Sequence, residues 1–192
     1  MYSGGAFIAN GFEEIIIPTI WEVETFVKKA GGSEILGQMF NFQDKGEREI
    51  CLLPEVTGVI QQLVNENYFQ NKYPAKVFYI NKCYRYEKPQ KGRYREFTQL
   101  GVEILNKNPD KVSLYKDETI RILKELLDST QTNYVFNDSV RRGLSYYVED
   151  GFEVECESLG SQKQITGGGS YPEGVGFAIG LERWLLALGK WS

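Results

Sequence analysis

Two long runs of alternating character, KVFYINKCYRYE (76–87) and REFTQLGVEIL (95–105), are separated by a short loop holding Pro89 and Gly92. Side chains on a strand alternate sides with period two, so two such runs joined by a turn-forming link specify an antiparallel hairpin long enough to organise a sheet. In the second run Leu100, Val102 and Ile104 share one face, which must be the core side. The other face presents Phe97, Gln99, Gly101, Glu103 and Leu105, and the first run sets Tyr79, Asn81, Cys83, Arg85 and Glu87 beside it. Polar groups stand where a second apolar row would be expected, so that face reads as the floor of a cleft. Gly101 weakens the strand and leaves a gap that a ligand could fill.

The loop explains what kind of ligand. Arg85, Lys88, Lys91, Arg93 and Arg95 place five cations in twelve residues of a chain whose formal net charge is -4. An acidic molecule repels phosphate backbones, so no DNA partner is expected, and an anion site in it must be local. A charged hairpin alone is most simply a solvated surface. Against that stand three arginines, whose planar fork suits bidentate phosphate contact, and the Phe97 ring, on which a flat heterocycle could stack.

Composition narrows the chemistry further. The chain has no histidine, which excludes Ser-His and Cys-His dyads, histidine acid/base catalysis and the commonest metal ligand. Cys51, Cys83 and Cys156 are odd in number and contain no CxxC pair, which fits reduced cytoplasmic thiols rather than a disulfide framework or a zinc site. No apolar segment approaches the roughly 18 residues needed to cross a bilayer, so no membrane partner is expected.

Further strands are expected in EEIIIPTI (13–20), QMFNF (38–42) and EICLL (49–53), the last two joined by a turn at Asp44-Lys45-Gly46. Helices are expected from Glu22 to Ala30, Glu55 to Asn67, about Pro109 to Leu127 and about Gly176 to Leu188. Hairpin-linked strands with helices between them predict an α+β fold, a mostly antiparallel β-sheet flanked by helices. No linker-like shift in composition interrupts residues 1–192, so a single domain is expected. Two other segments accompany the hairpin. GGGSYPEGVGFAIGLER (167–183) joins a glycine run to a helix bearing Arg183, and VRRGLSYYVEDGFEVE (140–155) sets two arginines before a Tyr-Tyr pair. Taken alone, the glycine run is explained equally well by loop closure and helix packing, and the second segment is better explained by surface arginines and core rings.

Together these segments resemble the catalytic domain of class II aminoacyl-tRNA synthetases, and within them the histidyl-tRNA synthetases. FEEIIIPTI is similar to the end of class motif 1, YRYEKPQKGRYREFTQLGVE to motif 2, and GVGFAIGLERWLLAL to motif 3. LLPEVT and RRGLSYY are similar to the family's LRPEGT and RGLDYY segments. The resemblance implies ATP as the anion, with Mg²⁺, and histidine as the second ligand. It implies that Arg85 and Arg142 hold the α-phosphate as catalytic groups, and that Arg85, Glu87, Arg93, Phe97 and Arg183 bind ATP. Glu55, Thr57 and Gln99 would receive the histidine ammonium group, Glu103 and Tyr147 would read the imidazole, and Tyr171 would line the same pocket. No protein metal ligand is expected. A homodimer is implied, and tRNA is one candidate partner, left open by the expected lack of an anticodon-binding domain.

Leu53, Val56, Ser145, Ser170 and Pro172 depart from the family pattern, and Tyr86 and Thr98 stand where histidines are common. The short stretch between Leu127 and Val140 and the end just after motif 3 lead to the expectation that the insertion domain and the C-terminal anticodon-binding domain are absent. The expected activity is ATP-dependent formation of histidyl-adenylate by a truncated core, with tRNA, a protein or a small molecule as acceptor. The alternative is a non-catalytic histidine-binding paralog similar to the synthetase-like subunit of ATP phosphoribosyltransferase.

Overall fold

A computed structural model of the chain describes residues 4–30, 33–140, 151–160 and 163–191. In chain order these hold α1 (Gly5–Ala9), β1 (Glu13–Glu14), β2 (Ile20–Glu22), α2 (Val23–Ala30), α3 (Ser33–Leu36), β3 (Asn41–Gln43) and β4 (Glu49–Leu52). Then follow α4 (Thr57–Asn65), β5 (Ala75–Tyr84), β6 (Glu96–Leu105), a 3₁₀ turn at Pro109–Tyr115 and α5 (Lys116–Ser129). The last elements are β7 (Val135–Val140), β8 (Gly151–Glu155), β9 (Gln164–Tyr171), β10 (Gly174–Gly180) and α6 (Leu181–Ala187). Among the described residues seven strands form one sheet in the order β1-β5-β6-β10-β9-β8-β7, and β2-β4-β3 form a second. Every pairing is antiparallel except β1 with β5, so the fold is α+β with a mostly antiparallel sheet flanked by helices.

The expected hairpin is present as β5 and β6, paired from Ala75↔Leu105 to Tyr84↔Glu96. Leu100, Val102 and Ile104 are buried with Val175, Phe177 and Ile179 of β10 beneath Ile122, Leu123, Leu126 and Leu127 of α5. Each such side chain contributes about 1.5–3 kcal/mol relative to exposure, and the spacing along α5 is that of one helical face. Asp117 and Glu118 in the first turn of α5 suit its dipole, and Lys76 anchors Glu118 at 2.7 Å. On the sheet's other face a second core joins Phe26 of α2 and Val59, Ile60 and Val64 of α4 to Val77, Tyr79, Cys83, Leu105 and Tyr171. Where this cover ends, the face lies open as a cleft.

Several boundaries differ from the sequence reading. The run 13–20 divides into β1 and β2, because Pro18 lacks the N–H a continuous ladder needs. Asn81 bridges the gap: its amide donates to the Ile17 carbonyl at 2.7 Å and accepts from the Ile17 N–H at 3.4 Å. The turn at Asp44 forms as expected, with the Asp44 carboxylate accepting from the Gly46 and Arg48 N–H groups at 2.8 and 3.0 Å. The helix expected from about Gly176 is corrected: β10 continues to Gly180 and only Leu181–Ala187 is helical. Strands β7, β8 and β9 were not among the expected elements. The helix expected from about Pro109 begins as a 3₁₀ turn, and residues 130–134 link α5 to β7. Among the described residues no helix is long and apolar enough to cross a membrane, and all three cysteines are free and buried.

Candidate functional site

The cleft has a volume of about 300 Å³ and is lined by residues of β6, β9 and β10 and by the segment that follows β5. Arg85, Glu87, Arg93, Phe97 and Arg183 line it, as do Glu55, Thr57, Gln99, Glu103 and Tyr171. The structure thus gathers ten of the twelve residues singled out in the sequence. Arg142 and Tyr147, like Ser145, lie outside the described residues.

At the cationic end, the Arg85 Nε–H donates to the Pro54 carbonyl at 2.9 Å, which leaves the terminal guanidinium nitrogens directed elsewhere. Its guanidinium carbon stands 5.2 Å from the centre of the Phe97 ring. Arg93 is paired with Glu87 at 3.0 Å. Arg183 is half-buried, and burial first, then the neighbouring Arg93 charge, lower its proton affinity, with Glu87 opposing them. Two guanidinium groups held close in a partly dry site favour an anion between them. Arg183 is aimed by its neighbour: the buried Glu182 carboxylate accepts from the Thr98 N–H at 2.8 and 3.0 Å and from the Thr98 hydroxyl at 2.8 Å, tying the start of α6 to β6. Thr98, which stands where the family commonly has histidine, therefore acts as a structural tie.

The opposite end is acidic and drier. Glu103 is 1% exposed, with Oε1 accepting from the Thr57 hydroxyl at 2.8 Å and Oε2 from the Tyr171 hydroxyl at 2.7 Å. Burial pushes its carboxyl up to about 8; the Tyr171 and Thr57 donors hold it down, and the nearby Glu55 charge adds to the rise. Glu55 is also buried, one carboxylate oxygen accepting from the Gly58 N–H at 2.7 Å at the start of α4. The Cys83 thiol donates to Gln99 Oε1 at 3.3 Å and is itself pushed up to about 12 by burial. The backbone makes room for Glu103: Gly176 of β10 lies opposite it in the register, and a methyl group there would fall on Glu103 Oε2.

One expectation is overturned. Gly101 does not leave a gap for a ligand, because the ring of Tyr79, its register partner on β5, lies where a side chain at position 101 would be. Sequence reasoning put Tyr79 on the right face but gave it no place in the site, and it missed Gly176 and Glu182. Gly174, Gly176, Ala178 and Gly180 do alternate with Val175, Phe177 and Ile179, a period-two signal. Of the positions that depart from the family pattern, Leu53 and Val56 are buried in the second core, and Tyr86 is packed between the Phe40 ring and the Arg95 guanidinium.

An antiparallel sheet carrying a cleft with arginines at one end and a buried carboxylate at the other defines a class II aminoacyl-tRNA synthetase catalytic core. A family profile described as histidyl-tRNA synthetase matches residues 4–135, and the chain belongs to that family. Histidine–tRNA ligase of Clostridioides difficile (strain 630) is 26% identical in an alignment that covers 93% of this chain and 67% of that protein. Apo histidyl-tRNA synthetase of S. aureus superposes with a TM-score of 0.73 at 25% identity, over 97% of this chain and 63% of that one. An ATP phosphoribosyltransferase regulatory subunit/histidyl-tRNA synthetase from Bacillus halodurans C superposes with a TM-score of 0.75 at 16% identity, over 96% of this chain and 76% of that one. The chain spans about two thirds of the length of the first two.

Proposed function

We propose that the cleft activates histidine, or a close analogue, with ATP. A carboxylate oxygen of the amino acid attacks the α-phosphorus, the bond to the bridging oxygen breaks, and pyrophosphate leaves with that electron pair. The nucleophile is already an anion, so no protein base is needed, in keeping with a chain that has no histidine. Catalysis is then alignment and charge stabilisation. Arg85 and Arg142 hold the α-phosphate, and Arg93, Glu87, Arg183 and Phe97 receive the nucleotide. Glu55, Thr57 and Gln99 receive the ammonium group, while Glu103 and Tyr147 read the imidazole with Tyr171 fixing Glu103. Among the described residues no three metal-ligating side chains gather, so Mg²⁺ would enter on the nucleotide's phosphates.

The observation that carries this reading is the polarity of the cleft, with Arg85, Arg93 and Arg183 at one end and Glu55 and Glu103 at the other. Histidine-dependent exchange of labelled pyrophosphate into ATP tests it. Exchange is expected with histidine, and Arg85→Ala should lower it at least ten- to a hundredfold, the equivalent of one charge-assisted contact of about 1.5–3 kcal/mol. Absence of exchange with each of the twenty amino acids would sink the enzymatic reading. The acceptor named by the relatives is tRNA, and a cytoplasmic homodimer is the assembly that goes with this role.

The likeness to the Bacillus halodurans regulatory subunit/synthetase supports a second reading, a histidine sensor without turnover. Calorimetry separates the two: histidine binding without ATP binding favours the sensor.

A further inference from the structure

The two donors that hold Glu103 come from different parts of the fold. Thr57 opens α4 and Tyr171 ends β9, and their hydroxyls reach the two oxygens of one carboxylate at 2.8 and 2.7 Å. Both bonds are met only while the start of α4 and the end of β9 keep a fixed separation. The last residue of α4 supplies a link between the same two elements. Asn65 lies about two turns beyond Thr57 on the same side of the helix, with Gln61 between them. An asparagine amide nitrogen carries two hydrogens. Those of Asn65 go to the Gln61 carbonyl and to Glu173 Oε1, each at 2.9 Å. Glu173 is buried in the turn that joins β9 to β10, after Tyr171 and just before Gly174. Gly174 is the register partner of Tyr171, and a methyl group there would come to 3.0 Å from the Tyr171 hydroxyl. The turn therefore carries both the Tyr171 ring and the backbone on which its hydroxyl rests.

We propose that Asn65 is a positioning residue for the acidic end of the cleft: by holding Glu173 it fixes the β9–β10 turn against α4, so that Tyr171 and Thr57 grip Glu103 together. This rests on the reading that the acidic end takes an amino acid. The backbone pins the turn to the sheet, because the Asn106 N–H just after β6 donates to the Glu173 carbonyl at 2.9 Å. That bond does not reach α4, and the Asn65 side chain does. Its acceptor is a carboxylate, which makes the hydrogen bond stronger than one between neutral groups. Asn65 itself is exposed and does not line the cleft, whereas Thr57, Glu103 and Tyr171 do, so it acts on the cleft only through Glu173 and the turn. A tie that served stability alone would leave ligand affinity untouched.

The test is Asn65→Ala in the full chain, a change at an exposed helix end that leaves the core intact. Histidine binding by calorimetry should weaken roughly three- to tenfold, the equivalent of one hydrogen bond, with ATP binding unchanged. Glu173→Ala should weaken it as much, and Glu173→Gln, which keeps an acceptor oxygen for Asn65, should recover most of the loss. In a Tyr171→Phe background Asn65→Ala should have no further effect. A second reading needs no ligand. In protein labelled with ¹³C at the glutamate carboxyls, and with Glu103 assigned through Glu103→Gln, Asn65→Ala should move the midpoint of the Glu103 titration upward, because a loosened Tyr171 donor favours the carboxylate less. An unmoved midpoint, an unchanged histidine affinity, or an equal loss of affinity with and without the Tyr171 hydroxyl would overturn the proposal. Should the wild-type chain bind no histidine, the amino-acid reading fails on that result, and the carboxyl midpoint alone decides the role of Asn65.

Discussion

Glu103 should make the stability of this chain fall as pH rises, over a range where most proteins change little. The unfolded carboxyl titrates near 4.5 and the folded one near 8. Between those values the folded state holds a proton that the unfolded state has lost, so stability is full below about 4.5 and is lost as pH climbs through about 8. Each pH unit of difference corresponds to about 1.4 kcal/mol, and the whole interval to about 5 kcal/mol, a large share of the roughly 5–15 kcal/mol that holds a domain together. Since the carboxyl is 1% exposed, solvent does not screen the effect. The chain has no histidine, and the buried Cys51 and Cys83 thiols, pushed up from 9.0 to about 11 and 12, add a fall of their own only as pH approaches 9. Urea unfolding from pH 5 to 8 measures it. The wild type should lose stability with a slope approaching 1.4 kcal/mol per pH unit, and Glu103→Gln should flatten that slope. Parallel profiles for the two proteins would refute the reasoning, since they would mean that Glu103 ionises alike in the folded and unfolded chain.

Two further outcomes follow from the packing around the cleft. Gly176→Ala would drive a methyl group into Glu103 and to 2.5 Å from the Val102 carbonyl, so about 1–3 kcal/mol of stability and at least tenfold in histidine affinity should be lost. Gly180→Ala, whose methyl would meet only the Arg183 side chain at 3.7 Å, is the control in urea unfolding and calorimetry. Thr98→Val removes the 2.8 Å hydroxyl bond to Glu182 and should cost about 1–3 kcal/mol in urea unfolding, with weaker ATP binding in calorimetry as Arg183 loses its fixed neighbour.

What could be read from the sequence followed from which residues own side chains. On β6 the alternation of Leu100, Val102 and Ile104 with Gln99 and Glu103 writes both faces of the strand into the chain, and both faces are where that pattern puts them. On β10 the cleft face is Gly174, Gly176, Ala178 and Gly180, so only the core face leaves a clear mark. Phe177, Leu181, Trp184 and Leu188 are spaced four, three and four residues apart, which imitates a helical stripe. In the structure Phe177 belongs to the strand and the other three to α6 and its C-terminal end. The contribution of Tyr79 was hidden for a related reason: a glycine read along its own strand is a gap, and only the cross-strand register reveals the neighbour that fills it.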